Sequence, residues 1–112
     1  MNTDYSVPRI TVAISLFNYG HFIKRAIKSV CEQTIASEVE LIVVDDASTD
    51  NSIDVVQDFQ HTNKLLINRL ASFHCEIHKT NQGLAEARNT AFQLASTENI
   101  LVLDADNFLL PQ

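Results

Sequence analysis

A parallel β-sheet with helices on both faces is the fold class this sequence predicts, on three observations. Four short runs have the composition or alternation of strands: residues 9–16 (RITVAISL), 40–44 (ELIVV), 73–79 (FHCEIHK) and 99–103 (NILVL). Stretches with helical spacing of apolar residues separate them, so the order is βαβαβαβ. Three of the four runs are apolar almost without interruption, the habit of strands covered on both faces, and such strands belong to parallel sheets.

Residues 9–16 are rich in β-branched side chains and end at the Asn18-Tyr19-Gly20 break. Phe22, Ile23, Ala26, Ile27, Val30 and Cys31 then recur at helical spacing, with Lys24, Arg25 and Lys28 on the opposite face. The second strand ends in Asp45-Asp46, and Ser48-Thr49-Asp50 offers capping chemistry for a helix over residues 51–60. Leu65, Leu66, Arg69 and Leu70 suggest that this helix continues or resumes before the third strand, whose alternation marks it as less buried. Asn81-Gln82-Gly83 turns the chain into a helix over 84–95, with Leu84, Ala87, Arg88, Ala91, Phe92 and Ala95 along one stripe. The fourth strand runs directly into Asp104-Ala105-Asp106. Right-handed crossovers restrict these elements to a doubly wound, Rossmann-like α/β arrangement.

The 112 residues suit one ordinary domain or part of a larger one, and 46% apolar with 20% charged residues is globular composition. Eight basic against 14 acidic side chains give a net charge of −6, the wrong sign for a protein that grips nucleic acid by its backbone. Cys31 and Cys75 lie inside apolar patterns and read as reduced thiols of a cytoplasmic protein. Residues 1–7 are polar, which argues against a signal peptide, and no apolar run reaches the ~20 residues of a membrane span.

The unusual polar clusters all fall at carboxyl ends of strands: residues 15–18, Asp45-Asp46, 81–83 and 104–106. In an open α/β sheet that edge holds the ligand crevice. Gly20 and Gly83 are the only glycines, so neither G-x-G-x-x-G nor a Walker A loop is available to cradle phosphate. A crevice of aspartates repels a bare phosphate, but it accepts a diphosphate together with a hard divalent cation such as Mg²⁺ or Mn²⁺. In Asp-x-Asp on an extended segment both carboxylates face the same side. Asp45 and Asp46, being adjacent, point apart, which favours one of them as a ligand contact.

These segments resemble family 2 glycosyltransferases of the GT-A type over nearly the whole length, in ITVAISLFN, LIVVDDASTD, NQGLAEARN and ILVLDADN. The resemblance implies one nucleotide-diphospho-sugar-binding domain over residues 1–112, with a UDP-sugar as the expected donor. Ser15 and Phe17 would line base and ribose, and Phe17 would stack on uracil where the family often carries Tyr. Asp46 would accept from the base, Arg88 would face the nucleotide, and Asp104 would contact ribose or a metal-bound water. Asp106, with Asp104, would hold Mg²⁺ or Mn²⁺ on the diphosphate. Ser15-Leu16 stands where the family usually has Pro-Thr. The resemblance also places the acceptor site and the catalytic base of an inverting transfer beyond residue 112. This segment alone is then expected to bind donor without transferring sugar to its saccharide or lipid-linked acceptor, and membrane association belongs to a full-length protein.

Three other readings carry specific expectations. A receiver-like signalling domain needs its aspartate pair after the first strand, and a dehalogenase-type phosphatase needs Lys and further acids after its Asp-x-Asp. A fragment that binds nucleotide without catalysis needs neither. His74, Cys75 and His78 suggest zinc, but strand alternation sends Cys75 to the face opposite the two histidines. The fourth strand, if left as a sheet edge, favours a homodimer.

Overall fold

The computed structural model describes residues 8–110; the polar opening over 1–7 lies outside them. Four parallel strands form one sheet in the order β3-β2-β1-β4. They are β1 (Ile10–Leu16), β2 (Val39–Asp45), β3 (Ser72–Ile77) and β4 (Ile100–Asp104). The helices are α1 (Ile23–Cys31), α2 (Ser52–Thr62), the single turn α3 (Lys64–Ile67) and α4 (Leu84–Leu94), with a 3₁₀ turn at Ala36–Glu38. The uncertain stretch after residue 60 thus resolves into a break at Asn63 and one further turn. The α/β, Rossmann-like class expected from the alternating runs is the observed one.

Strand alternation divides the core in two. Val12, Ile14 and Leu16 of β1 with Leu41 and Val43 of β2 pack under α1 and α2, against Ile23, Ile27, Val30, Val56 and Phe59. Ala13 of β1 and the branched Ile42 and Val44 of β2 point to the other face and meet the alanines of α4, Ala87 and Ala91. The stripe expected on α4 is narrower than its sequence suggests: Leu84 and Phe92 are 52% and 43% exposed. Ala87 and Ala91 are the buried residues of α4, with Ala95 packed partly against the same cluster, and the larger residues flanking them stay at the helix surface.

A second correction concerns β4, expected as a buried strand. It is an edge, with Leu101 41% exposed, because β1 pairs it on one side only. The segment after it turns back over α1, where Leu109 N–H donates to Ser29 Oγ and Gln33 Nε2 to the Leu110 carbonyl.

Glu40 locks the opposite end of the sheet. It accepts from the buried Thr11 hydroxyl and from both the amide and the hydroxyl of Ser96 after α4. Burial pushes the Glu40 carboxyl up, and these hydrogen bonds outweigh burial to hold it below its ordinary 4.5. Asp46 and Asp50 are likewise held below 3.8, by donors that outweigh desolvation. A carboxyl depressed in the folded state contributes stability above its unfolded pKa and loses it as pH falls through the folded value. Stability is therefore expected to hold above about pH 4.5 and to decline steadily below 3.8. Thermal melts at pH 7, 5 and 3 check this; equal midpoints at pH 7 and 3 would refute it.

Candidate functional site

The register aligns the carboxyl ends of the strands. Leu16 pairs with Asp45, Ser15 with Asp104, and Asp45 with Ile77. The ladder continues one residue further: Asp46 N–H donates to the Leu16 carbonyl and His78 N–H to the Asp45 carbonyl, both at 2.8 Å. Above this edge opens a cavity of about 510 Å³, lined by Ser15, Phe17, Tyr19, Asp46, Asp104 and Asp106, among others. Five of the six site residues chosen from sequence thus line one space, although they come from three different strand ends.

Arg88 is the sixth, and it stands beside the cavity rather than in it. Its Nη2 lies 3.3 Å from Asp104 Oδ1, while its Nε is buried without a partner among the described residues. It holds one oxygen of Asp104. Asp106 is exposed at the rim, and its backbone carbonyl accepts from Arg25 Nη2 at 3.1 Å. The same guanidinium lies 4.3 Å from the Phe108 ring centroid, so α1 steadies the segment after β4 that carries Asp106. Phe17 is 40% exposed and belongs to the cavity wall, not the core.

The two adjacent aspartates divide as their alternation requires. Asp45 is fully buried and accepts from the amide and hydroxyl of Ser48, at 2.9 and 2.6 Å. It shapes the loop and takes no place in the cavity. Asp46 sits at the amino end of α4. Its Oδ1 accepts from Gln82 N–H and from His78 Nδ1, and its Oδ2 from Gly83 N–H, all at 2.8 to 2.9 Å. Gly83 has φ 97°, a conformation that carries no penalty only without a Cβ, and this turns its amide onto the carboxylate. Asn81 adds a bond to the Asp46 backbone carbonyl. Asn81 and Gly83 therefore build the turn and border the cavity as well.

Loops from β1 and β2 are clamped together at the rim. Asn18 Oδ1 accepts from the amides of Thr49 and Asp50, and Asp50 accepts from the Gly20 amide. Asp50 also holds the amide and hydroxyl of Ser52, where the sequence suggested a helix cap. Asn18 has φ 56° and Ala47 φ 61°. Asn18 has side-chain hydrogen bonds to hold that conformation; Ala47 has none. Ala47→Gly is expected to raise stability by about 1 kcal/mol, by releasing a left-handed Cβ clash. Urea unfolding measures it, and a lower midpoint would contradict the strain argument.

His78 is the residue that sequence reasoning passed over. The suggested zinc set disperses: His74 is exposed beside Glu76, whereas His78 is buried against Asp46. Among the described residues no three His, Cys, Asp or Glu side chains converge as a metal site. Burial pushes the thiols of Cys31 and Cys75 up to about 11, so both remain protonated. In the sequence His78 lies inside the run read as the third strand; its place one residue past β3, level with Asp46, comes from the sheet register.

The fold and this edge define a ligand crevice in an open α/β sheet, walled by carboxylates. The chain belongs to glycosyl transferase family 2, whose family model matches residues 11–112. An uncharacterised glycosyltransferase of Nostoc sp. is 40% identical over 92% of this chain, which spans 30% of that relative. Among solved structures, the mannosyltransferase PcManGT from Pyrobaculum calidifontis, in complex with GDP-Man and Mn²⁺, superposes with a TM-score of 0.79. It is 29% identical over 90% of this chain and 28% of its own. TarS of S. aureus in complex with UDP gives a TM-score of 0.75 and 27% identity, over 89% of this chain and 28% of that one. The architecture is therefore that of GT-A glycosyltransferases, and the receiver and phosphatase readings give way. Among the described residues no helix is long and apolar enough to cross a membrane.

Proposed function

We propose that this chain is the donor-binding part of a glycosyltransferase that moves a sugar from a nucleotide-sugar, a UDP-sugar first, to an acceptor hydroxyl with inversion. The observation that carries the proposal is the convergence of Ser15, Phe17, Asp46, Asp104 and Asp106 on one cavity. Its volume, about 510 Å³, is in the range of small-molecule sites. Phe17 offers an exposed ring to a base, and Asp46 a carboxylate that accepts from the N3–H of uracil. Asp104, fixed by Arg88, borders the ribose or a metal-bound water. That structural neighbours are in complex with GDP-Man and with UDP supports a nucleotide as the ligand here.

The same electrostatics argue for a cation. Asp46 already occupies amides at the amino end of α4, so a diphosphate approaching that helix meets negative charge there and at Asp104 and Asp106. Two carboxylates are too few to enclose a metal, but Mg²⁺ and Mn²⁺ commonly use one or two and complete their shell with phosphate oxygens and water. Asp106 and the oxygen of Asp104 not bonded by Arg88 suit such a donor set. When bound, the metal would neutralise charge on the departing nucleoside diphosphate. The proposal assigns no catalytic base among residues 8–110. Acceptor identity, saccharide or lipid-linked, follows the remainder of a longer protein, as does any membrane association.

Calorimetric titration of UDP with Mn²⁺, repeated with EDTA and with GDP, tests this reading. The expected result is metal-dependent binding that favours UDP. Binding of UDP unchanged by EDTA would remove the metal, and no binding under any condition would remove the nucleotide site. Self-association through the β4 edge is read separately by light scattering across concentrations; a constant monomer mass excludes the homodimer.

A further inference from the structure

A polar chain leads from Asp46 behind the cavity, and neither the nucleotide contacts nor the metal ligands proposed above use its other members, His78 and Thr90. His78 is 8% exposed at its side chain. Its Nδ1 lies 2.9 Å from Asp46 Oδ1, and its Nε2 lies 2.7 Å from Thr90 Oγ1, on α4. Thr90 Oγ1 also lies 3.0 Å from the Glu86 carbonyl, one turn earlier. An ionised Asp46 can only accept, so Nδ1 carries the proton and donates to it. The imidazole therefore links the end of β2, the end of β3 and the middle of α4 through two hydrogen bonds.

The count of acceptors on Asp46 gives this link a consequence. A carboxylate offers about four acceptor positions. Gln82 N–H and His78 Nδ1–H occupy two on Oδ1, and Gly83 N–H occupies one on Oδ2. One remains. Uracil presents a single N–H donor on its pairing edge, whereas guanine presents two neighbouring donors, N1–H and the N2 amino group. We propose that His78 is a positioning and specificity-determining residue: by holding Oδ1 it fixes Asp46 with one free acceptor, matched to uracil and mismatched to guanine. This rests on the nucleotide-binding reading above. A guanine in the same place would leave one donor unpaired in the crevice, and such a loss is worth about tenfold or more in affinity.

Two substitutions separate the bonds of the ring. Asn at position 78 places an amide nitrogen where Nδ1 was, so His78→Asn keeps the donor to Asp46. Gln reaches to where Nε2 was, so His78→Gln keeps the Thr90 contact and loses the other. With Mn²⁺ present, wild type is expected to favour UDP over GDP by about tenfold or more. His78→Asn should keep that preference, and His78→Gln should lower UDP affinity and bring the two nucleotides close to parity. Thermal melts of each variant confirm that the protein is folded. A folded His78→Gln that keeps the full preference overturns the proposal, as does a folded His78→Asn that loses it or a wild type that favours GDP. Should either variant fail to fold, Thr90→Val, which leaves the Nδ1 bond to Asp46 in place, must keep the preference; a folded Thr90→Val that loses it overturns the proposal.

A wild type that binds neither nucleotide would defeat the nucleotide reading itself. The positioning role is then read in the free chain from the amide proton resonances of Gln82 and Gly83. These should move in His78→Gln and stay in His78→Asn. Unmoved resonances in both variants would overturn the positioning role too.

Discussion

Asp106→Ala is expected to weaken UDP binding in Mn²⁺ by about 100-fold or more, because the metal that Asp106 would hold would supply several kcal/mol of charge neutralisation. The fold should survive. The Asp106 side chain is exposed, and what ties its loop to α1 is the backbone carbonyl bonded by Arg25, which alanine retains. In EDTA the variant and wild type should coincide, since removing the ligand and removing the metal remove the same interaction. Calorimetry in both buffers gives the four affinities needed. A variant that binds UDP as wild type does in Mn²⁺ would end the assignment of Asp106 as a metal ligand.

Asp46→Ala should behave in the opposite way, with the larger effect on the fold. It strips the acceptor from Gln82 N–H, Gly83 N–H and His78 Nδ1 together, in a place where the carboxylate is 5% exposed. Removing one partner of a buried charged network costs about 3 to 5 kcal/mol. Small domains have only about 5 to 15 kcal/mol in total, so the loss is expected to take a large share of the stability. Asp46→Asn keeps one acceptor oxygen and should lose less. Urea unfolding of the three proteins measures the differences; an alanine variant within about 1 kcal/mol of wild type would show that water replaces the carboxylate.

The two aspartates thus differ in kind, although the sequence presents them as members of one cluster. Asp106 has a free side chain on a tethered loop. Asp46 joins β2, the loop before α4 and His78, and only then offers what acceptor capacity remains. Nothing in LIVVDDASTD distinguishes a carboxylate used by the backbone from one left for a ligand. Alternation required only that Asp45 and Asp46 face apart, and the structure makes Asp45 the one buried in its own loop.

Arg88 illustrates a limit of another kind. Its position on α4 toward the carboxyl edge follows from helical spacing, but its partner does not. A long side chain at one height can reach Asp46, Glu86 or Asp104, and the choice falls to Asp104 because β4 lies beside β1. For His78 the ambiguity was greater. Two histidines and a cysteine within five residues suggest a metal by composition, whereas the sheet order sets His78 beside β2 and leaves His74 in solvent.

By itself, the sequence determined the order of strands and helices, the parallel class of the sheet and the edge on which ligand chemistry gathers. Those follow from local periodicity, from the handedness of crossovers and from the rule that polar groups avoid buried strands. Only the tertiary structure decided that β4 is an edge, that α4 packs through two alanines, and that Asp46, His78 and Thr90 form one buried chain. Those depend on which strand lies next to which. Contacts between residues 32 and 12 positions apart are set by strand order and helix seating, which local pattern does not encode.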